Sequence, residues 1–394
     1  MNGKLTKGIG TKREQRDKKK ETPENTKILA VFVLGFLVLG VFAVLTYQNQ
    51  QKNTMAIDDN FDDWQGVATR SMGTPHAPIH INGNDDFANQ SATNGWTGDG
   101  TQKNPYVISG YDIDANGNSY CIWIENTSVY FIVCNSTLWN VSYNVAPAGG
   151  IALKNVENGT IENNRCTGNP YGIFLQSSSN NTIANNNITG SNYYGILVWL
   201  GGNNNVSNNM LLSNNVGIAI YSANNNSLWY NTCVSSTDEG IRLDNSDENV
   251  IAYNNCSESI RNSGLLMTSP STNNTIMYNT FYKNKYYGIN ITDASSQNII
   301  HHNSFFQNNG AGRGVNGNSQ AYDSVGGNSW YDVSANEGNY WSNWDGSGGY
   351  PIAGGAGASD PYPLSNPVVP ELSTLALIAM AIAMLGIVAM RKRR

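Results

Sequence analysis

The chain has 394 residues, of which 13% are charged, with 40 Gly, 12 Pro, 21 Tyr and 9 Trp. That charge content is about half the usual quarter of a soluble domain, which excludes a charge-laced helical enzyme, and the low Pro count excludes a Pro/Gly-rich disordered chain. The net charge of −6 conceals two basic ends, and residues 28–390 between them hold 10 Lys/Arg against 25 Asp/Glu, which leaves no basic stripe for nucleic acid.

Residues 1–27 form a basic cytoplasmic tail with nine Lys/Arg. Residues 28–46 carry no charge over 19 residues, about 28 Å as a helix, and read as a transmembrane helix or signal-anchor. The basic flank before it and Asp58, Asp59, Asp62 and Asp63 after it place the bulk of the chain outside the membrane. Residues 47–75 read as a linker.

From residue 76 to 344 the sequence is one repeat. Gly150, Gly172, Gly195, Gly217, Gly240, Gly264 and Gly288 are spaced 22, 23, 22, 23, 24 and 24 apart. After each Gly an apolar residue stands one position on and another three positions on, as in Ile173 and Leu175 or Ile218 and Ile220. This period-2 alternation predicts a strand with one buried face. A second apolar column runs Ile161, Ile183, Val206, Leu228, Ile251, Ile276, Ile299, and a third runs Cys166, Ile188, Leu211, Cys233, Cys256, Phe281, Phe305. Three short strands per 22–24 residues, each stacked on its equivalent, predict an all-β, right-handed parallel β-helix of roughly nine to ten coils. Upstream, Cys121 takes the Gly position, and Leu138–Gly149 reads as a loop insert.

Between the second and third columns an Asn recurs at constant phase: Asn164, Asn186, Asn209, Asn231, Asn254, Asn279 and Asn303, with Asn135 as its upstream member. Buried amides must be paired, and stacking at about 4.8 Å supplies the partner. Asn also tolerates the left-handed backbone of tight turns.

Positions two and four after each Gly point outward. They bring Phe174, Leu197, Trp199 and Tyr221 onto one face, with Arg242 and Asp244 at its edge. Aromatic rings beside hydrogen-bonding groups suit a sugar ring, so these six residues are the candidate ligand-binding patch. The densest acidic run, Asp238, Glu239, Asp244, Asp247 and Glu248, forms no carboxylate column across coils, and no catalytic site is evident. His76, His80, His301, His302, Met210, Met267 and Met277 form no cluster, so no metal or cofactor is expected. Cys233 and Cys256 fall on adjacent coils, as a pair of small buried side chains or a disulfide. Sequons such as Asn89, Asn126, Asn140, Asn187 and Asn290 are compatible with glycosylation outside the cell.

Residues 345–370 are a Gly/Pro-rich terminal segment and linker. Residues 371–394 hold an apolar stretch and a basic tail, preceded by Pro370-Glu371-Leu372. Together these resemble the Pro-Glu-Phe type of C-terminal sorting signal on archaeal surface proteins, which implies a sorting protease as partner; Leu372 stands where that family has Phe.

Gly98-Asp99-Gly100-Thr101, Asn104-Pro105-Tyr106-Val107-Ile108 and Ile122-Trp123-Ile124-Glu125-Asn126-Thr127 resemble the opening of the NosD-type right-handed β-helix family. Gly338-Asn339-Tyr340-Trp341-Ser342 and Asp360-Pro361-Tyr362-Pro363-Leu364 resemble its ending. The resemblance implies a β-helix like those of archaeal cell-surface members, with carbohydrate-binding and sugar-hydrolase β-helices as relatives and a copper-linked maturation factor as namesake. The expected function is a membrane-attached cell-surface protein, structural or carbohydrate-binding, with cell-wall or surface polysaccharide or surface-layer protein as partner. The alternative is an extracellular polysaccharide-active enzyme (lyase, hydrolase or epimerase), and the third is the copper-linked role.

Overall fold

A computed structural model describes residues 73–142, 148–310 and 318–368. The expected membrane segment 28–46, the sorting motif Pro370–Leu372 and the apolar segment after it lie outside the described residues. Among the described residues no helix is long and apolar enough to cross a membrane.

The described chain is a parallel β-solenoid of the right-handed type. Apart from a two-stranded pair near its end, its strands form three sheets of eleven, ten and nine members, and within each sheet every third strand of the chain is the next neighbour, save at the last step of the eleven-stranded sheet. Parallel strands joined by short crossovers wind right-handed for reasons of strand twist. Eight full turns lie between Tyr120 and Phe306, with further strands before and after. Pairing also extends past the expected ends. Thr74 and Pro75 already align with Tyr111 and Asp112, and Tyr350–Pro351 pairs antiparallel with Ser359–Asp360.

The repeat columns stack in register. Ile173, Ile196 and Ile218 are consecutive partners in the ten-stranded sheet, as are Ile183, Val206 and Leu228 in the nine-stranded sheet. All six are fully buried. One column member is corrected. Ile300, not Ile299, pairs with Ile276 and is buried, while Ile299 is exposed. The repeat glycines answer to close approach. A Cβ on Gly195 would lie 2.6 Å from both the Gly217 carbonyl oxygen and Leu211 Cδ2, inside van der Waals contact.

The Asn column is a hydrogen-bonded ladder along the interior of one corner. In each turn the side-chain amide donates to the Oδ1 of the next: Asn186 to Asn209 at 3.0 Å, Asn209 to Asn231 at 2.9 Å, Asn231 to Asn254 at 3.0 Å. The same Oδ1 also accepts the preceding backbone N–H, and the second amide hydrogen reaches a strand carbonyl, as Asn231 does to Val206 at 2.8 Å. Asn135 is corrected. It is exposed at φ 53, and Ser136 occupies the ladder phase, its backbone N–H donating to Asn164 Oδ1. The residue before each ladder Asn takes a left-handed turn, including Tyr230, Tyr253 and Tyr278. A second ladder runs through Asn181, Asn204, Asn226, Asn249, Asn274 and Asn298 at another corner.

Both ends of the solenoid are closed. Near the start, helix α1 (Asn84–Asn94) has Asp85 and Asp86 in its first turn, favourable to its dipole, and ends on left-handed Gly95. Its Phe87 is fully buried, with ring centroids 5.0 Å from Tyr106 and 5.2 Å from Phe131. At the other end the rings of Phe305, Trp341 and Tyr350 stack in series at 4.1 Å per step.

Candidate functional site

The outer face of the ten-stranded sheet carries a grouping of aromatic side chains that points away from the solenoid core. Strand alternation sends three positions per turn outward. Two lie two and four residues after the repeat Gly, and the third lies one before it, because the pairing register skips the Gly and so resets the alternation there. The first column reads Tyr171, Tyr194, Val216, Glu239; the second Phe174, Leu197, Ala219, Arg242; the third Gln176, Trp199, Tyr221, Asp244.

The six expected patch residues are therefore brought together, but they are not equally accessible. Phe174 and Leu197 were expected to be exposed; they are 4% and 7% accessible, and form a separate apolar cluster with Val216 and Ala219. The cause is lateral cover by neighbouring rings. Tyr171 stacks on Phe174 at 5.2 Å and on Tyr194 at 5.8 Å, while Trp199 lies parallel to Phe174 at 6.5 Å. Tyr194 and Tyr221 share a hydrogen bond between their hydroxyls at 3.0 Å, bridging over the small Ala219. Phe174 and Leu197 are thus a floor. The accessible rim is Tyr193, Trp199 and Leu200, at 43%, 40% and 50%.

A polar group adjoins this shelf. Arg242 Nη2 lies 3.5 Å from Asp244 Oδ2, and its guanidinium stands 5.6 Å from the Tyr221 ring centroid. Burial pushes the Tyr221 hydroxyl well above its ordinary range, and the bond with Tyr194 adds to this. Glu239, which the positions after Gly did not point to, belongs to the same face. It is only 1% accessible, and its Oε1 accepts from Asn262 Nδ2 at 2.6 Å. Burial pushes its carboxyl up to about 7, against the opposing pull of Arg242. Glu239 Oε2, Arg242 Nε and, two strands on, Asn290 Oδ1 are buried without a hydrogen-bond partner among the described residues. Such atoms are uncommon in folded proteins.

The same face holds a second grouping at its N-terminal end. His80 Nε2–H donates to Glu125 Oε1 at 3.0 Å, and the His80 ring stacks on Trp123 at 4.2 Å and 15°. Tyr120 lies 5.4 Å from Trp123. Glu125 is buried, and so is the Trp123 Nε1 atom, which has no partner among the described residues.

The model of a family described as "Periplasmic copper-binding protein (NosD)" matches residues 77–264 and 192–346. No curated protein matches the sequence. Among solved structures, the A-module of the Azotobacter vinelandii mannuronan C-5 epimerase AlgE4 is similar at 15% identity and a TM-score of 0.44, over 51% of this chain and 59% of that one. The chain thus spans under two thirds of that module. A periplasmic alginate epimerase, AlgG, is similar at 17% identity and a TM-score of 0.43, over 75% of this chain and 83% of that one. PfbA, a surface adhesin of Streptococcus pneumoniae, is similar at 12% identity and a TM-score of 0.40, over 51% and 73%. No chemistry is carried across at such identities.

The donors present do not fit copper. Copper takes imidazole, thiolate or thioether ligands in a shared cage. His301 and His302 turn their Nδ1 atoms toward each other at 2.6 Å, and His302 Nε2 is engaged by Glu337 at 2.7 Å. The five cysteines are free and buried, and burial pushes Cys121 up to about 12, so its thiol stays protonated. Met267 is fully buried in the core. Among the described residues no three His, Cys, Asp or Glu side chains are placed to hold a metal.

Proposed function

The chain belongs to the NosD family, and on that footing we propose that it is a glycan-binding protein acting outside the cytoplasm. Its binding surface is the aromatic shelf of the ten-stranded sheet. Its terminal apolar segments attach it to the membrane, and a cell-wall or surface polysaccharide is its partner.

One observation carries this reading. Trp199 and Tyr193 present accessible ring surface on a rigid, ring-packed floor, with the Arg242–Asp244 pair and the Tyr194–Tyr221 hydroxyls beside them. A pyranose offers an apolar face to stack on such a ring and hydroxyls to bond such a rim. Rings held by their neighbours lose little side-chain freedom on binding, which favours affinity. Trp199→Ala with Tyr221→Ala removes the wall and one hydroxyl from the outer face and leaves the inward core columns untouched. The double variant should lose retention on any glycan or cell-wall fraction that the wild type binds, with unchanged far-UV circular dichroism. Undiminished retention would overturn the assignment.

Glu239 favours a second reading, a polysaccharide-active enzyme. A buried carboxyl near neutrality, with Arg242 acting on it and the Asp244 carboxylate paired to the same guanidinium, gives two carboxyls held in different environments, as an acid and a base would be. New reducing ends or unsaturated products in the same glycan incubations would select that reading, and intact glycan would select binding alone.

A further inference from the structure

The outward columns do not end at the shelf. In the second column Trp123 aligns with Ala152, which aligns with Phe174; in the third, Glu125 aligns with Lys154, then Gln176, then Trp199. The His80–Trp123 stack therefore lies on the same face, two strands or about 10 Å before Phe174. From the glycan-binding reading and this placement, we propose that the ligand is a long, linear, uncharged polysaccharide lying along the solenoid axis, held at a second station built on His80, Tyr120, Trp123 and Glu125.

Three features of the station support a sugar. First, its rings form a platform of the same kind as the shelf, with His80 flat against Trp123 and Tyr120 at the side. Second, its polar groups are fixed. Buried Glu125 holds one nitrogen of His80, and the Gln90 amide donates to the His80 carbonyl at 2.6 Å. Third, Trp123 Nε1 is buried and lacks a partner, as Glu239 Oε2, Arg242 Nε and Asn290 Oδ1 do beyond the shelf. Unsatisfied polar atoms therefore flank the shelf on both sides, where hydroxyls, or water bridging to them, would complete them.

The placement also argues for length and for neutrality. The intervening strand, Gly149–Val156, turns only Gly149, Ala152 and Lys154 to this face, so among the described residues no large ring separates the two stations. A chain along the axis crosses one turn per about 4.8 Å and meets both stations, whereas one or two sugar units occupy one. The basic side chains of this face stand beside carboxylates. His80 is on Glu125, Arg242 is on Asp244, and Lys154 is in register with Glu125. A polyanion finds no surplus of positive charge here, and the net −15 of residues 28–390 repels it further.

The test uses the full-length chain with mannan, xylan and β-glucan, each as disaccharide, hexasaccharide and polymer, with alginate as the acidic comparison. Binding is read by calorimetry. Joining two weak stations through one ligand raises apparent affinity by about 10²–10⁴-fold, so the polymer should exceed its disaccharide by at least the lower figure. Trp123→Ala should bring the polymer's affinity down toward that of the disaccharide. His80→Ala, which removes the ring stacked on Trp123 and leaves Trp123 in place, should do the same in part if Trp123→Ala fails to fold. Equal affinity for disaccharide and polymer, an unaltered polymer affinity in both variants, or binding of alginate alone would overturn the two-station proposal while leaving a single-shelf function in place. Absence of binding to every glycan would overturn both.

Discussion

The interior ladder can be broken at one residue with little change of volume. In Asn231→Leu the side chain keeps its size and loses every polar atom. Asn231 Oδ1 accepts from the Asn209 backbone N–H at 3.0 Å and from Asn209 Nδ2 at 2.9 Å, and its Nδ2 donates to Val206 O and Asn254 Oδ1. Asn254 Oδ1 keeps the backbone N–H of residue 231, and Asn209 Nδ2 keeps Ile183 O, so neither group is wholly stranded. Two donors are left with nothing to bond: the Asn209 backbone N–H and one Asn209 amide hydrogen. Both are buried, since Asn209 is 1% accessible. At about 1–3 kcal/mol for each stranded buried group, the variant should lose about 2–6 kcal/mol. The matched control is Asn205→Leu on the exposed side of the nine-stranded sheet, which should stay within about 0.5 kcal/mol of wild type. Urea unfolding of both variants of the full chain, compared at equal slope, measures the difference. Coincident midpoints for the two variants would refute the argument that buried amide pairing holds this corner.

Glu239 gives a pH signature. Its folded value of about 7 lies above the ordinary 4.5, so the folded state is favoured fully below about 4.5 and that advantage is lost as pH rises to about 7. The loss is on the order of 3 kcal/mol at about 1.4 kcal/mol per unit, and Glu239→Gln should flatten it; a stability profile that is the same in wild type and variant between pH 5 and 8 would count against a buried, protonated carboxyl (about 4.5 to 7 being the window). For topology, protease added to intact cells should remove the solenoid and spare residues 1–27, and protection until lysis would reverse the orientation. Intact mass of the membrane form should end near residue 370, and detection of Arg391–Arg394 would mean a retained anchor.

The repeat was legible because its causes are periodic. Spaced glycines, alternating apolar pairs and the ladder Asn all recur every 22–25 residues, and each reflects a constraint that every turn must meet. The failures fall where periodicity stops deciding. At Asn135 and Ser136 two small polar residues adjoin, and either suits a corner; backbone geometry selects the serine. At Ile299 and Ile300 two identical residues hide a one-position shift. Alternation gave the direction of Phe174 and Leu197 correctly, away from the main core, but it says nothing of neighbours on the same face, and Tyr171 and Tyr194 cover them. Glu239 and both tyrosines sit one position before the repeat Gly, where strict alternation points inward, so the outward column they form is hidden from a period-2 pattern. The second ladder was equally visible, five residues upstream of the first at each turn. The His80–Glu125 contact spans 45 residues outside the regular repeat, and no pattern announces it.

The closed ends of the rod bear on how many molecules can coexist. Each turn is a template for the next, with the same pitch, the same side-chain columns and the same unpaired backbone at its rim. Nothing in that pattern distinguishes the next turn of one chain from the first turn of another. Helix α1 with its buried Phe87, and the Phe305–Trp341–Tyr350 stack, interrupt the pattern at the two places where it would otherwise continue. An exposed strand edge invites pairing with a second chain. A chain that lost either stopper, by truncation or by an incomplete synthesis, would present a rung that fits its own kind and is open to end-to-end pairing.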